Sequence, residues 1–148
     1  MRPHARGTLS GLTLAHRRAD VFRAVIDGTA LWLRATTDPY LEKHVIGDFV
    51  ALGGGTRSPL WRQIMAAVYN RRLLIPHVVE GGALGVAMMA AVGTGLRTGY
   101  RELSEEWIQI ETVEVPDPTL AESYASLYRD FLRLEAANRE LEAYLPKS

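Results

Sequence analysis

The residues best placed to do chemistry stand in one run, Ala51-Leu52-Gly53-Gly54-Gly55-Thr56-Arg57-Ser58-Pro59-Leu60-Trp61-Arg62-Gln63. Three successive glycines let a backbone turn sharply and bring its N–H groups close to a ligand. Ser58-Pro59 is a helix start, a serine N-cap followed by proline at the first helical position. The unpaired N–H groups of that helix point at the same corner, which suits an anion, and phosphate is the first reading. The string GGGTRS matches neither the Walker A pattern nor GxGxxG, however. No Lys-Ser/Thr pair follows to hold a β/γ-phosphate and its magnesium. On the residues alone, a ligand cradle and a plain tight turn stand level.

Other reactive side chains form no constellation. His4, His16, His44 and His77 lie on four separate segments without metal-ligand spacing. Asp and Glu are scattered, and no pair is placed as a general acid and base. Cysteine is absent, which excludes disulfides, thiolate nucleophiles and cysteine-ligated metals. Arg71-Arg72 reads as a solvated pair at a helix end. Trp32, Trp61 and Trp107 read as core or edge packing.

The chain has 148 residues, 47% of them hydrophobic, a length that supports one domain. Seventeen basic residues against seventeen acidic ones leave no global field to steer nucleic acid or an anionic membrane. No apolar run approaches the ~18 residues of a membrane span, and the basic N-terminus leads into no signal-peptide stretch. A soluble, cytoplasmic domain with no nucleic-acid or membrane partner is expected.

The elements that must position the glycine run alternate. After a polar lead-in, Gly7 to Leu14 reads as a strand with a bulge at Gly11. A helix is expected from about Arg18 to Ala35, burying Phe22, Val25, Ile26, Thr29 and Leu33, with Gly28 allowing a close backbone contact. Thr37-Asp38-Pro39 should end it. Phe49 to Leu52 reads as a buried strand that flows into the glycines. The helix from Ser58 should bury Leu60, Ile64, Ala67 and Val68. Leu73 to Pro76 is a third strand, and Glu80 to Val92 a helix of small residues stopped by Gly93-Thr94-Gly95. From Asp117-Pro118 a last helix should run to about Tyr144, with Leu120, Tyr124, Leu127, Phe131, Leu134, Leu141 and Leu145 along one seam that lies on the domain. Strands alternating with helices argue for an α/β sheet with crossover helices.

Two motifs carry a resemblance. Gly7-x-Leu9-x-Gly11-Leu12, seven residues, then Asp20-Val21-x-x-Ala24-Val25-Ile26-Asp27 fits a signature of the FGGY carbohydrate kinases at every defined position. The run from Ala51 to Gln63 resembles that family's adenosine motif, and Glu80 to Gly95 and the closing Asp117-Pro118 helix match as well. The surrounding string ARGTLSGLTLAH is similar to the xylulokinase-like members.

The resemblance implies a ribonuclease H-like, actin-like ATPase fold over residues 1–148, as an N-terminally truncated C-terminal ATP-binding domain with its terminal helix (117–146) packed on it. It implies ATP and magnesium as cofactors and transfer of the γ-phosphoryl to a sugar hydroxyl, with a pentulose favoured. Gly54, Gly55 and Ser58 would then contact the adenosine part of ATP, so the glycine turn would cradle nucleoside rather than phosphate. The Gly7–Asp27 signature would be architectural. Complete members are much longer, and the parts without a counterpart here include the aspartate acting as catalytic base. None of Asp20, Asp27, Asp38, Asp48, Asp117 or Asp130 stands in a matching context, so no catalytic residue and no magnesium ligand is assigned.

The expectation is a chain that is inactive alone. Either it self-associates or it works with a partner supplying the rest of the kinase. The alternative is a non-catalytic nucleotide-binding or protein-interaction module derived from such a kinase.

Overall fold

The computed structural model describes residues 7–142 and residue 144. Helix α1 spans Arg18–Leu41, strand β1 Phe49–Val50, a single 3₁₀ turn Gly54–Arg57, helix α2 Pro59–Tyr69 and strand β2 Leu73–Pro76. Helix α3 (Gly81–Gly93), helix α4 (Tyr100–Trp107), strand β3 (Ile110–Glu114) and helix α5 (Pro118–Glu142) complete the order. The sheet runs β1-β2-β3, with β1 parallel and β3 antiparallel to the central β2. The unit that carries the glycine run is therefore β1, crossover through α2, β2, as the alternation predicts.

Three small apolar clusters hold these elements. Ala30 and Leu31 of α1 meet Ile64, Ala67 and Val68 of α2 and Tyr124 and Tyr128 of α5. Ala66 joins Leu73 and Ile75 on the sheet. Met88 and Ala91 of α3 meet Leu103 of α4. Helix α2 contributes to the first two clusters, so it joins α1 and α5 to the sheet.

Several expectations are corrected. Gly7 to Leu14 forms no strand, and Leu9, Leu12 and Leu14 are exposed. A strand needs a ladder partner, and no element among the described residues pairs with this segment. Helix α1 does not stop at Thr37 but passes through Pro39 to Leu41. Asp38 in that last turn accepts the Tyr128 hydroxyl at 2.6 Å, and the Thr37 hydroxyl bonds the Leu33 and Arg34 carbonyls at 3.0 Å. These ties hold the turn in place of the N–H that proline lacks.

Phe22 and Val25 face outward, because α2 and α5 cover the opposite side of α1 through Ala30 and Leu31. Nothing approaches a Cβ built on Gly28 within 4 Å, so no close contact explains it. Leu60 is exposed as well. Along α5 the buried positions are Ala121, Tyr124 and Tyr128, while Leu127, Leu134 and Leu141 are exposed. Residues of α5 pack on the core only as far as Phe131. A 3.6-residue helix also drifts off a 3.5-residue seam. Leu145 and the lead-in Met1 to Arg6 lie outside the described residues.

Candidate functional site: the glycine turn after β1

Strand β1 directs the N–H groups of Phe49 and Ala51 to the carbonyls of Arg72 and Leu74 at 3.0 and 2.9 Å. Gly53 continues inward, donating to the Val79 carbonyl at 2.8 Å. Its φ of +96° is a conformation that side chains resist, which is the physical reason for glycine there. The chain then coils once. Thr56 N–H bonds the Gly53 carbonyl and Ser58 N–H the Gly55 carbonyl, each at 3.1 Å. The buried Thr56 hydroxyl donates to the Gly53 carbonyl at 2.7 Å, locking the turn from inside.

Ser58 ends the turn and caps α2. Its Oγ accepts the Trp61 N–H at 3.3 Å, and its carbonyl accepts from Arg62 N–H at 3.1 Å. The serine N-cap and Pro59 at the first helical position are as the sequence predicts. The turn thus gathers Gly54, Gly55 and Ser58 at the carboxyl end of β1, where a helix also begins. A helical turn leaves its first N–H groups without an intrahelical acceptor, and here these belong to Gly54 and Gly55.

The two glycines differ. A Cβ on Gly54 would meet nothing within 4 Å, so its backbone is open to an incoming group. A Cβ on Gly55 would lie 3.1 Å from Trp61 Nε1, so the indole packs against the turn and walls it. Beside that wall runs an apolar groove of about 590 Å³, bordered by Leu33, Tyr40, Phe49, Leu52, Gly55 and Trp61. Gly81, at the start of α3, comes close to the same strand end. A Cβ there would meet Leu52 Cδ1 at 2.7 Å. Backbone donors next to an apolar wall suit a planar, mostly uncharged group; they offer nothing for proton transfer.

Two arginines tether the turn. Arg57 pairs with Glu80 at 2.5 Å, both well exposed. Arg62 donates to the Thr56 carbonyl at 2.9 Å and to Glu114 at 3.3 Å. Sequence reasoning gave no role to Thr56, Arg62, Glu114 or Gly81; the Arg62–Glu114 and Gly81–Leu52 contacts join segments distant in the chain, while Thr56 acts on Gly53 only once the turn has formed. Arg71 and Arg72 are not a bare solvated pair either. Arg72 Nε bonds Asp48 at 3.0 Å, holding that carboxyl below the usual aspartate range, while Arg71 donates to the carbonyls of Ile46 and Gly47. Both fasten the loop that leads into β1.

Of the histidines, His16 bonds Thr13 and His77 lies 3.7 Å from Glu111, both at the surface. Among the described residues no three of His, Asp and Glu gather into a set that could hold a metal ion. The magnesium implied by the resemblance has no such cluster among the described residues. A nucleoside fits better, since the Gly54 backbone is open and Trp61 walls the turn beside it.

Comparison with known proteins agrees in one direction. The profile of the FGGY family of carbohydrate kinases, C-terminal domain, matches residues 1–94. The xylulose kinase of Bacillus subtilis is 28% identical over 148 residues, covering 97% of this chain and 30% of its own length. The crystal structure of a xylulose kinase from Rhodospirillum rubrum superposes with a TM-score of 0.79 at 36% identity, over 95% of this chain and 29% of that one. A gluconate kinase from Lactobacillus acidophilus superposes with a TM-score of 0.81 at 26% identity, over 90% of this chain and 27% of that one. The chain thus spans less than a third of the length of these relatives.

Proposed function

The chain belongs to the FGGY family of carbohydrate kinases and carries its C-terminal domain in an actin-like ATPase fold, and from that premise we propose that it supplies the nucleoside-binding part of an ATP-dependent sugar kinase. The observation that carries this reading is the glycine turn itself, open at Gly54, walled by Trp61 and set at the start of α2. In the reading, the N–H groups of Gly54 and Gly55 and the Ser58 corner hold the adenosine part of ATP. The reaction of the complete kinase is transfer of the ATP γ-phosphoryl to a sugar hydroxyl, with a pentulose as the favoured acceptor because the relatives include xylulose kinases.

Phosphoryl transfer depends on holding acceptor, metal and phosphates together, and the glycine turn supplies only the adenosine end. This chain alone is therefore inactive as a sugar kinase and binds nucleotide weakly. Titrating the full chain with adenosine and following backbone amide resonances tests the assignment. Gly54, Gly55 and Ser58 should move together at millimolar ligand. Movement elsewhere with these three still would refute it, as would sugar-dependent ADP release by the chain alone for the claim of inactivity.

The partner in this reading is the remainder of such a kinase. Because Phe49 and Ala51 direct their N–H groups to β2, the N–H and carbonyl of Val50 between them face away from the sheet. Phe22 and Trp32 on α1 are 66% and 52% exposed, so that helix presents apolar surface to solvent. A monodisperse, cooperatively unfolding monomer in sedimentation and denaturation experiments would argue against the need for a partner. Among the described residues no helix is long and apolar enough to cross a membrane. A cytoplasmic location is part of the proposal.

A further inference from the structure

The glycine turn is held together by local hydrogen bonds, Thr56 to Gly53 and Ser58 to Gly55, which shape it without aiming it. Its orientation against the rest of the domain depends on ties to other elements. Gly53 donates to Val79 at one end. The Arg57–Glu80 pair at the other end is 70% and 58% exposed, and ion pairs in water hold little. Arg62 differs in kind. Its guanidinium donates through Nη1 to the Thr56 carbonyl and through Nε to the Glu114 carboxylate, and these two side chains are only 19% and 20% exposed.

Both ends of this strut are fixed. Arg62 projects from α2, the helix anchored by Ile64, Ala67 and Val68 in the core. Glu114 lies on β3, where it pairs in register with Leu73 of the central strand. One planar fork thus fastens the middle of the turn to the helix that follows it and to the far strand of the sheet. A charge-assisted bond in partly dry surroundings is stronger than a neutral or exposed one. Glu114 also neutralises the guanidinium, so the arginine acts on backbone and leaves no bare positive charge beneath the cradle.

We propose that Arg62, oriented by Glu114, is the positioning residue of the nucleoside cradle. It holds the Thr56 carbonyl and so sets where the Gly54 and Gly55 N–H groups point. This rests on the adenosine reading above, and the test separates the two. The first measurement is amide hydrogen exchange on the full chain. In Arg62→Gln and in Glu114→Gln, Thr56 and Ser58 should exchange about tenfold faster while Leu74 and Ile75 of β2 stay near wild type. Arg62→Lys should fall between, since an ammonium can reach the carbonyl but cannot fork. Glu114→Gln keeps the side chain's size and removes only the carboxylate charge that holds the guanidinium, so it answers the question even where Arg62→Gln folds poorly. Unchanged exchange in the turn, or equal acceleration in the turn and β2, overturns the proposal.

The second measurement uses adenosine as the probe. If it shifts Gly54 and Gly55 in the wild type, Arg62→Gln should weaken its binding severalfold; undiminished affinity overturns the positioning role. If the wild-type resonances do not move, the adenosine assignment falls, and the exchange result alone decides whether the strut aims the turn.

Discussion

Tyr124 of α5 donates its hydroxyl to the Asp27 carboxylate of α1 at 2.6 Å, across 97 residues of chain. The Arg23 guanidinium closes the triangle, 2.9 Å from the tyrosine oxygen and 2.9 Å from Asp27. The ring is buried and its polar tip is satisfied twice, so the contact both packs and aligns the two helices. One turn or more further along, Tyr128 repeats the arrangement with Asp38, its ring lying 4.2 Å from the Arg34 guanidinium. These two tyrosines clamp α5 across α1, and α2 beneath them carries the glycine turn.

Removing one hydroxyl should be felt. A hydrogen bond to a charged group contributes about 1.5–3 kcal/mol, and Tyr124→Phe leaves Asp27 and Arg23 in place. The expected loss is about 2 kcal/mol in urea unfolding. A loss below about 0.5 kcal/mol would mean that solvent already reaches the triangle.

Stability should also fall at high pH. Burial, and next the hydrogen bond to Asp27, push the Tyr124 phenol up to about 12, and burial raises Tyr128 as well. The unfolded chain then loses its phenolic protons first, near pH ~10. The contribution is complete below that value and drains away as pH climbs toward the folded value. Urea midpoints at about pH 9 and about pH 11 should drop more for wild type than for Tyr124→Phe. Parallel slopes for the two proteins would contradict the linkage.

The start of α3 offers a substitution whose effect depends on its neighbour. Alanine is ordinarily a better helix residue than glycine, by up to about 1 kcal/mol. At Gly81, however, the added Cβ would meet Leu52 Cδ1 at 2.7 Å, so the half-exposed leucine must turn aside to admit it. Gly81→Ala should therefore stabilise the wild type by less than the helix preference alone would give. In a Leu52→Ala background the same change should stabilise more. A double-mutant cycle by thermal unfolding reads this directly, and equal effects in both backgrounds would dismiss the contact.

Ser58→Ala removes the oxygen that accepts the Trp61 N–H. The usual cost of losing an N-cap is about 1 kcal/mol. Ser58→Asp should recover most of it, because a carboxylate caps as well and favours a helix N-terminus. A Ser58→Ala protein as stable as wild type would show that the 3.3 Å bond is slack in solution.

Much of the fold was legible because its signals are local. The Ser58-Pro59 start of α2, the β2 run Leu73–Pro76 and the small-residue helix α3 all appear close to where their residues place them. The run through Pro39 was not legible, because what carries α1 past it is Tyr128, 90 residues away, bonding Asp38. Neither was β3, whose alternation of Ile110, Thr112 and Glu114 has no apolar face of its own and becomes a strand by pairing with β2. Gly7 to Leu14 errs the other way, with strand-like leucines that find no partner among the described residues.

The candidate site divides along the same line. That Gly53, Gly54, Gly55 and Ser58 form a turn opening a helix follows from the sequence alone. Backbone freedom and capping act within a few residues, and the motif's likeness to the FGGY kinases needs no coordinates. Which way the turn faces was decided only by tertiary structure. Its aim depends on Val79, in the loop between β2 and α3, and on Glu114 of β3 reaching it. Such contacts cost chain entropy to assemble and leave no periodicity in the sequence, so they become visible only when the sheet has brought distant residues together.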